Sequence, residues 1–177
     1  MDRKDFFVKA CGLGICSCVA AGFSVSDNLP AKDKEPDWKE SFIKYRYAKL
    51  IGILDATLDE KTKNQILENL GRECAGNGSG VKKYYHNPEG FFKEIHDKWG
   101  ENATYDKEKG IIRIETPERD CACPLIDSKI ISKSVCQCSV GWQTQVYTTI
   151  FGKEVKAKCI ESVIRGNKRC VFEIETS

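Results

Sequence analysis

Two Cys-x-Cys pairs, Cys121-Ala122-Cys123 and Cys136-Gln137-Cys138, stand twelve residues apart in a chain of 177 residues that has ten cysteines and two histidines. This pattern constrains the fold most, because a thiol needs another thiol, a soft metal or an apolar interior. In an extended strand the side chains at i and i+2 leave on one face, so each pair is expected to aim two sulfurs the same way. Side by side, Cys121, Cys123, Cys136 and Cys138 would form one cluster able to hold a tetrahedral zinc at a Zn–S distance of about 2.3 Å. Cys138 just precedes Ser139, where a helix is expected to begin, and the positive end of that helix would lower the thiol pKa values. Cys159 and Cys170 fall in a final hairpin. With Gly166-Asn167 as its turn, Cys159 faces Ile174 and Cys170 faces Val163, about 13 Å apart along a ladder of ~3.3 Å per residue. That exceeds the ~7 Å of Cα separation a disulfide tolerates. Each is therefore expected to find a partner in a Cys-x-Cys pair or to stay a buried thiol.

Charge removes other classes of function. The 28 Lys+Arg are matched by 26 Asp+Glu, a net charge of +2 with the signs interspersed. Such a chain has no electrostatic footprint for a nucleic-acid backbone, and nucleic acid is not expected as a partner. With 41% apolar residues it can bury a core. His86 and His96 leave little material for a histidine metal site or a serine-histidine triad, so cysteine has to carry any metal or redox chemistry.

The N-terminus reads as a targeting segment. Residues 1–10 include Arg3, Lys4 and Lys9, and the following run Cys11 to Val25 has 15 residues and no charge. This is shorter than the ~20 residues of a membrane-spanning helix. Residues 1–26 are expected to be an export signal and 27–36, rich in Asp, Lys and Pro, a solvated linker. Ile15-Cys16-Ser17-Cys18 offers a marginal acylation site at Cys18. The protein is thus expected to be exported, periplasmic or membrane-anchored, touching the membrane only through the signal or a lipid anchor. An oxidising compartment would pair six of the seven cysteines beyond residue 26, and a reducing one would leave thiolates for zinc.

Residues 37–177 read as a single α+β domain. Pro36 and the spacing of Ile43, Tyr47, Leu50, Ile51 and Leu54 predict a helix over 37–54, with Trp38 and Phe42 extending its apolar stripe. Asp59 caps a second helix to Ala75, with Ile66, Leu67, Leu70 and Cys74 inward. Asn87-Pro88 and Gly100 bracket a third, with Phe92, Ile95 and Trp99 on one side. Residues 104–106 and 111–116 flank Lys107-Glu108-Lys109-Gly110 as a hairpin, and 117–126 continue as an extended segment. A fourth helix is expected from Ser139 to Gly152, with Trp142, Val146, Ile150 and Phe151 inward. The last hairpin pairs 154–164 with 169–175. N-terminal helices on an antiparallel sheet, an embedded helix and a C-terminal hairpin make the fold.

The last third of the chain has a further pattern: Cys136-x-Cys138-Ser139-x-Gly141-Trp142, Phe151-Gly152-Lys153-x-Val155, and Glu161-Ser162-x-x-x-Gly166-x-x-x-Cys170-x-Phe172-x-Ile174. It resembles the four-vinyl reductase superfamily of small-molecule-binding domains. It resembles most the cysteine-rich bacterial branch near aminothiazoline-carboxylate hydrolase-like proteins, which adds a Cys-x-Cys-Pro-Leu segment, here Cys121 to Leu125. Arg3-Lys4-x-Phe6-Phe7 resembles a twin-arginine export motif. The superfamily resemblance implies an apolar ligand pocket between helices and sheet. It also implies a structural zinc, whose ligand positions fall on Cys136, Cys159, Cys170 and, as a departure, Ser162, with Cys123 or Cys138 as substitutes. The expected function is an exported small-molecule-binding domain, with Cys74, Trp142 and Phe172 contacting the ligand and Cys121, Cys123, Cys136, Cys138, Cys159 and Cys170 as zinc or disulfide cysteines. The alternative is a zinc- or thiol-dependent hydrolase of a small amide or heterocyclic acid, with Glu161 or His96 accepting the proton.

Overall fold

The elements that carry the site begin with caps that the sequence supplies locally. A computed structural model describes residues 37–78 and 80–176. The expected signal (1–26) and linker (27–36) lie outside these residues. Among the described residues, helix α1 (Trp38–Thr57) opens with the Asp37 carboxylate accepting from the Lys39 amide at 3.2 Å. Helix α2 (Glu60–Gly78) opens with Asp59 accepting from the Thr62 amide at 3.0 Å. Asn87 caps α3 (Pro88–Trp99) through the Gly90 amide, and Gly100, at φ 67°, closes it in the left-handed conformation that glycine adopts without Cβ strain. Strands β1 (Asn102–Asp106) and β2 (Ile111–Glu115) follow, then an irregular stretch over 116–132, helix α4 (Cys136–Phe151), and strands β3 (Lys156–Glu161) and β4 (Val171–Glu175).

The four strands form one antiparallel sheet in the order β1-β2-β4-β3. Ile112 pairs with Ile174 and Ile114 with Phe172, which puts these buried side chains on one face, while Arg113, Glu115 and Glu173 form ion pairs on the other. Helices α3 and α4 cover the apolar face. Phe91, Phe92, Ile95, Val146, Tyr147 and Ile150 meet Ile112, Ile114, Phe172 and Ile174 in one cluster, and each such fully buried side chain contributes about 1.5–3 kcal/mol of transfer free energy. Helix α4 is embedded, as expected, because it is covered on two sides. Its outer side meets α2 so closely that a Cβ at Gly71 would overlap the Cys138 carbonyl oxygen, and one at Gly141 would overlap the Glu68 carbonyl oxygen. Only glycine permits that approach of the two backbones.

Several expected burial faces are corrected. On α1, Ile51 and Ala48 are buried, but Trp38, Phe42, Ile43 and Leu50 are exposed, because among the described residues the apolar packing on this helix runs from Tyr47 to Leu54. On α2 the inward line is Leu67, Gly71 and Ala75, while Ile66, Leu70 and Cys74 face out. Trp99 is 48% exposed at the end of α3. Residues 117–126 form no strand, and α4 begins at Cys136 instead of Ser139. The last hairpin is also displaced. Cys159 pairs with Phe172, two positions from Cys170, because a bulge at Ile160 and a 3₁₀ turn over Val163–Arg165 absorb residues that a two-residue turn would have left in the ladder. Cys159, Cys170, Phe172 and Ile174 do share the helix-facing side, and Gly166 turns at φ 98°.

Candidate functional site

The start of α4 decides where the thiols go. Consecutive helical residues are rotated by about 100°, so Cys136 and Cys138 diverge by roughly 200° instead of sharing a face. Cys136 turns toward β3 and β4. Its sulfur shares a hydrogen bond of 3.0 Å with the Ser162 hydroxyl, which also accepts from the Arg165 amide at 3.2 Å. The Cys159 thiol, on β3, donates to the Glu161 carbonyl at 3.3 Å and borders the same cavity as Cys136. Arg165 stands over this pair, donating to the Cys159 carbonyl at 3.2 Å. Cys170 completes the group just ahead of β4, its backbone held by the Thr116 hydroxyl at 3.0 Å. The positions Cys136, Cys159, Ser162 and Cys170 are therefore brought together around the head of α4.

Cys138 turns the other way, toward α1 and the irregular stretch that carries Cys121 and Cys123. All six of these cysteines border one cavity of about 40 Å³, closed by Tyr47, Ile126, Val135, Ile164 and Phe172. An open polar depression on the outside, edged by Lys44, Asp120 and Lys129, shares Cys121, Cys123 and Ile126 with it. The 121–126 segment is thus a thin wall between solvent and the thiols. Of the expected ligand contacts, Phe172 borders the cavity. Cys74 is exposed on α2, and Trp142 packs against the main core instead. His86 and His96 are exposed and border no part of the cavity.

The thiols differ in electrostatics. The neighbouring Cys159 thiol holds the Cys136 thiol below the ordinary range, helped by Ser162 and Arg165 and opposed by burial. The Cys136 sulfur and burial push Cys159 up. Cys138 is pushed up to about 11, first by burial and then by the neighbouring sulfurs of Cys123, Cys74 and Cys121. This reverses the depression expected from the helix end. Burial also raises Cys121 and Cys170, and it raises the Tyr47 phenol. All seven described cysteines are free thiols.

The donor chemistry suits a soft metal, but the placement does not. Among the described residues no group of three or more His, Cys, Asp or Glu side chains closes on a point where one ion would be held. The four cysteines of the expected cluster, Cys121, Cys123, Cys136 and Cys138, all border the cavity, with helical geometry turning Cys136 and Cys138 to different sides of α4. Ser162 and Arg165 are neighbours of these thiols that strand and helix periodicity does not reveal. The one local signal is the Ser-x-x-Arg spacing, whose serine hydroxyl caps the turn.

This fold and site define an α+β domain in which an embedded helix presents thiols to a cavity over the sheet. The chain belongs to the family described as "Family of unknown function (DUF6144)", which matches residues 53–177. No curated protein sequence matches it. Among solved structures, the phenol-responsive sensory domain of the transcription activator PoxR, bound to phenol, shares the fold. It has a TM-score of 0.52 at 14% identity, covering 75% of this chain and 74% of that one. A trafficking protein particle complex subunit 3 from Naegleria fowleri, covalently bound to palmitic acid, aligns with a TM-score of 0.48 at 15% identity, covering 80% and 97%. A vinyl-4-reductase family protein from Methanocaldococcus jannaschii aligns with a TM-score of 0.42 at 15% identity, covering 83% and 85%.

Proposed function

We propose that this protein is an exported small-molecule-binding domain whose ligand enters the thiol-bordered cavity between α4, β3, β4 and the 121–126 segment. The observation that carries this reading is the cavity itself, apolar on most sides and bordered by six cysteines. A fold shared with a phenol sensory domain is consistent with it. Size narrows the ligand. At about 40 Å³ the cavity is well below the ~150 Å³ of one that takes benzene. A group of a few heavy atoms fits as it stands. An aromatic ring requires the 121–126 wall, which no strand pairing holds, to shift outward. Export rests on the basic N-terminal residues followed by the uncharged run Cys11 to Val25.

The test is thermal unfolding of the reduced chain with phenol, toluene, hexanoate and, separately, zinc chloride. A ligand of the native state raises Tm with concentration by mass action. At least one of the three organic probes is expected to do so, and Ile126→Phe, which fills the cavity, is expected to remove the shift. If none of them shifts Tm, or the shift survives in the Ile126→Phe variant, the cavity is not the binding site.

A further inference from the structure

Helix α1 packs on the domain along one side and carries an unusual mixture of side chains on the other. At about 100° per residue, Tyr45, Trp38, Phe42, Ile53, Leu50 and Ile43 fall within an arc of about 160°. Each keeps half or more of its surface exposed. Lys49, Arg46 and Lys39 lie within the same arc, all exposed. The Arg46 guanidinium stands 5.8 Å from the centre of the Phe42 ring, and the Lys49 ammonium 5.4 Å from that of Tyr45. The arc holds no acid. Glu40 and Asp55 lie outside it and pair with Lys44 at 2.7 Å and Lys63 at 2.9 Å. Among the described residues no carboxylate forms an ion pair with Lys39, Arg46 or Lys49.

We infer that this face of α1 docks on the headgroup region of a bilayer rich in anionic phospholipid. The phosphates take the three cations, while Trp38, Tyr45 and Phe42 lie at headgroup level, where amphipathic rings are favoured. Because cations and rings are interleaved, the helix rests at the phosphates and does not enter the hydrocarbon, and among the described residues no helix is long and apolar enough to cross a membrane. Charge decides against the competing occupant, a second copy of the chain. Two such faces would set three cations against three cations with no acid between them, whereas an anionic surface attracts all three. The order of the chain agrees. Twelve residues separate Trp38 from the uncharged run Cys11 to Val25, a reach of at most about 45 Å. A chain held at a membrane by that run brings α1 to the same surface. Lys44, which edges the outer depression, lies about 180° round the helix from the middle of the arc, so docking leaves that depression to solvent. The docking goes beyond ligand binding and does not depend on it.

The experiment uses the full chain and vesicles of phosphatidylcholine and phosphatidylglycerol in equal parts. Lys39→Glu, Arg46→Glu and Lys49→Glu, made together, are expected to lower the partition onto these vesicles by about tenfold or more. Residues 1–36 are the same in both chains, so the difference reports α1. Brominated lipid adds a readout of position. It is expected to quench part of the tryptophan emission of the wild type, and that part is expected to be missing from Trp38→Phe. If the charge variant does not fold by circular dichroism, the conservative Trp38→Phe comparison decides. Equal partition of the wild type and a folded charge variant overturns the proposal, and so does equal quenching of the wild type and Trp38→Phe. A wild type that sediments as a dimer without lipid, and as a monomer once Trp38→Ser and Phe42→Ser are made together, assigns the face to a second copy and also overturns it. The Tm shifts with the cavity probes are measured without lipid, so loss of one reading leaves the other standing.

Discussion

The larger apolar cluster closes over the inner face of the sheet, whereas the smaller one lies where the C-terminal half of α1 meets α2 and the residues leading into α4. In the first, Ile112, Ile150, Ile174 and Tyr147 are fully buried. In the second, only Ile51 and Leu67 are, while Ala48, Ile126 and Ile131 each keep 9% of their surface in contact with solvent. The cavity and the thiols sit where the two clusters meet. The contrast teaches a division of labour: the dense cluster fixes α4 and the strands, and with them Cys136, Cys159 and Cys170, while the thin cluster supplies a removable wall carrying Cys121 and Cys123. A region that must admit a molecule is drawn from the less stable part of a structure.

The first way to break this comparison is to cut an equal group from each cluster. Ile174→Ala is expected to cost about 4 kcal/mol, since its close-packed neighbours cannot collapse into the space. Ile126→Ala is expected to cost about 2 kcal/mol, the low end of the range, because it borders an existing cavity. Urea unfolding measures both. Equal costs would mean that the wall is as tightly packed as the sheet.

A second way is to titrate the thiols across the boundary. Alkylation follows the thiolate fraction, so a lowered pKa brings the rate to its plateau at lower pH and a raised one delays it. Cys136 is expected to reach its plateau below the ordinary thiol range, and Cys138 to keep gaining rate to about pH 11. Ser162→Ala, which removes the hydrogen bond that helps lower the Cys136 thiol, is expected to move the Cys136 profile upward and leave Cys138 where it was. Residue-resolved mass spectrometry reads both curves. Coincident profiles would show that the two sulfurs share one environment.

How much of this can be read in the sequence depends on what fixes each element. Asn87-Pro88 and Gly100 mark α3 because cap and left-handed stop are local chemistry, and Gly110 marks the β1–β2 turn for the same reason. The thiol site is only half legible. Cys136-x-Cys138 reads as a unit in a strand and as two opposed side chains in a helix, and nothing in the dipeptide itself selects between them. Helix α4 is extended back to Cys136 by the 3₁₀ turn Lys133–Val135, which the Ser132 hydroxyl caps weakly through the Ser134 amide at 3.4 Å. The β3–β4 register is hidden in the same way. Gly166 is visible as a turn residue, but the bulge at Ile160, a non-local feature of the ladder, shifts every partner beyond it.

The smallest expected effect tests the outer limit of the thin cluster. Helix α1 has apolar residues on nearly every side, so its sequence suggests an inward stripe that includes Trp38, Ile43 and Leu50. Among the described residues its apolar packing starts at Tyr47, where Tyr47, Ala48, Ile51 and Leu54 meet Leu67, Ile126 and Val135. Trp38 is 70% exposed and Ile43 51%, so removing either takes little apolar surface out of a buried setting. Serine has nearly the same helix propensity as tryptophan and isoleucine, which leaves burial as the one variable. Trp38→Ser and Ile43→Ser are therefore each expected to change stability by no more than about 0.5 kcal/mol. Ile51→Ala, on the same helix but 1% exposed, is expected to cost about 2 kcal/mol or more. Chemical denaturation at fixed protein concentration separates these outcomes. A cost above about 1 kcal/mol at Trp38 or Ile43 would mean that this face is covered in solution, and the thin cluster would then reach further along α1 than Tyr47.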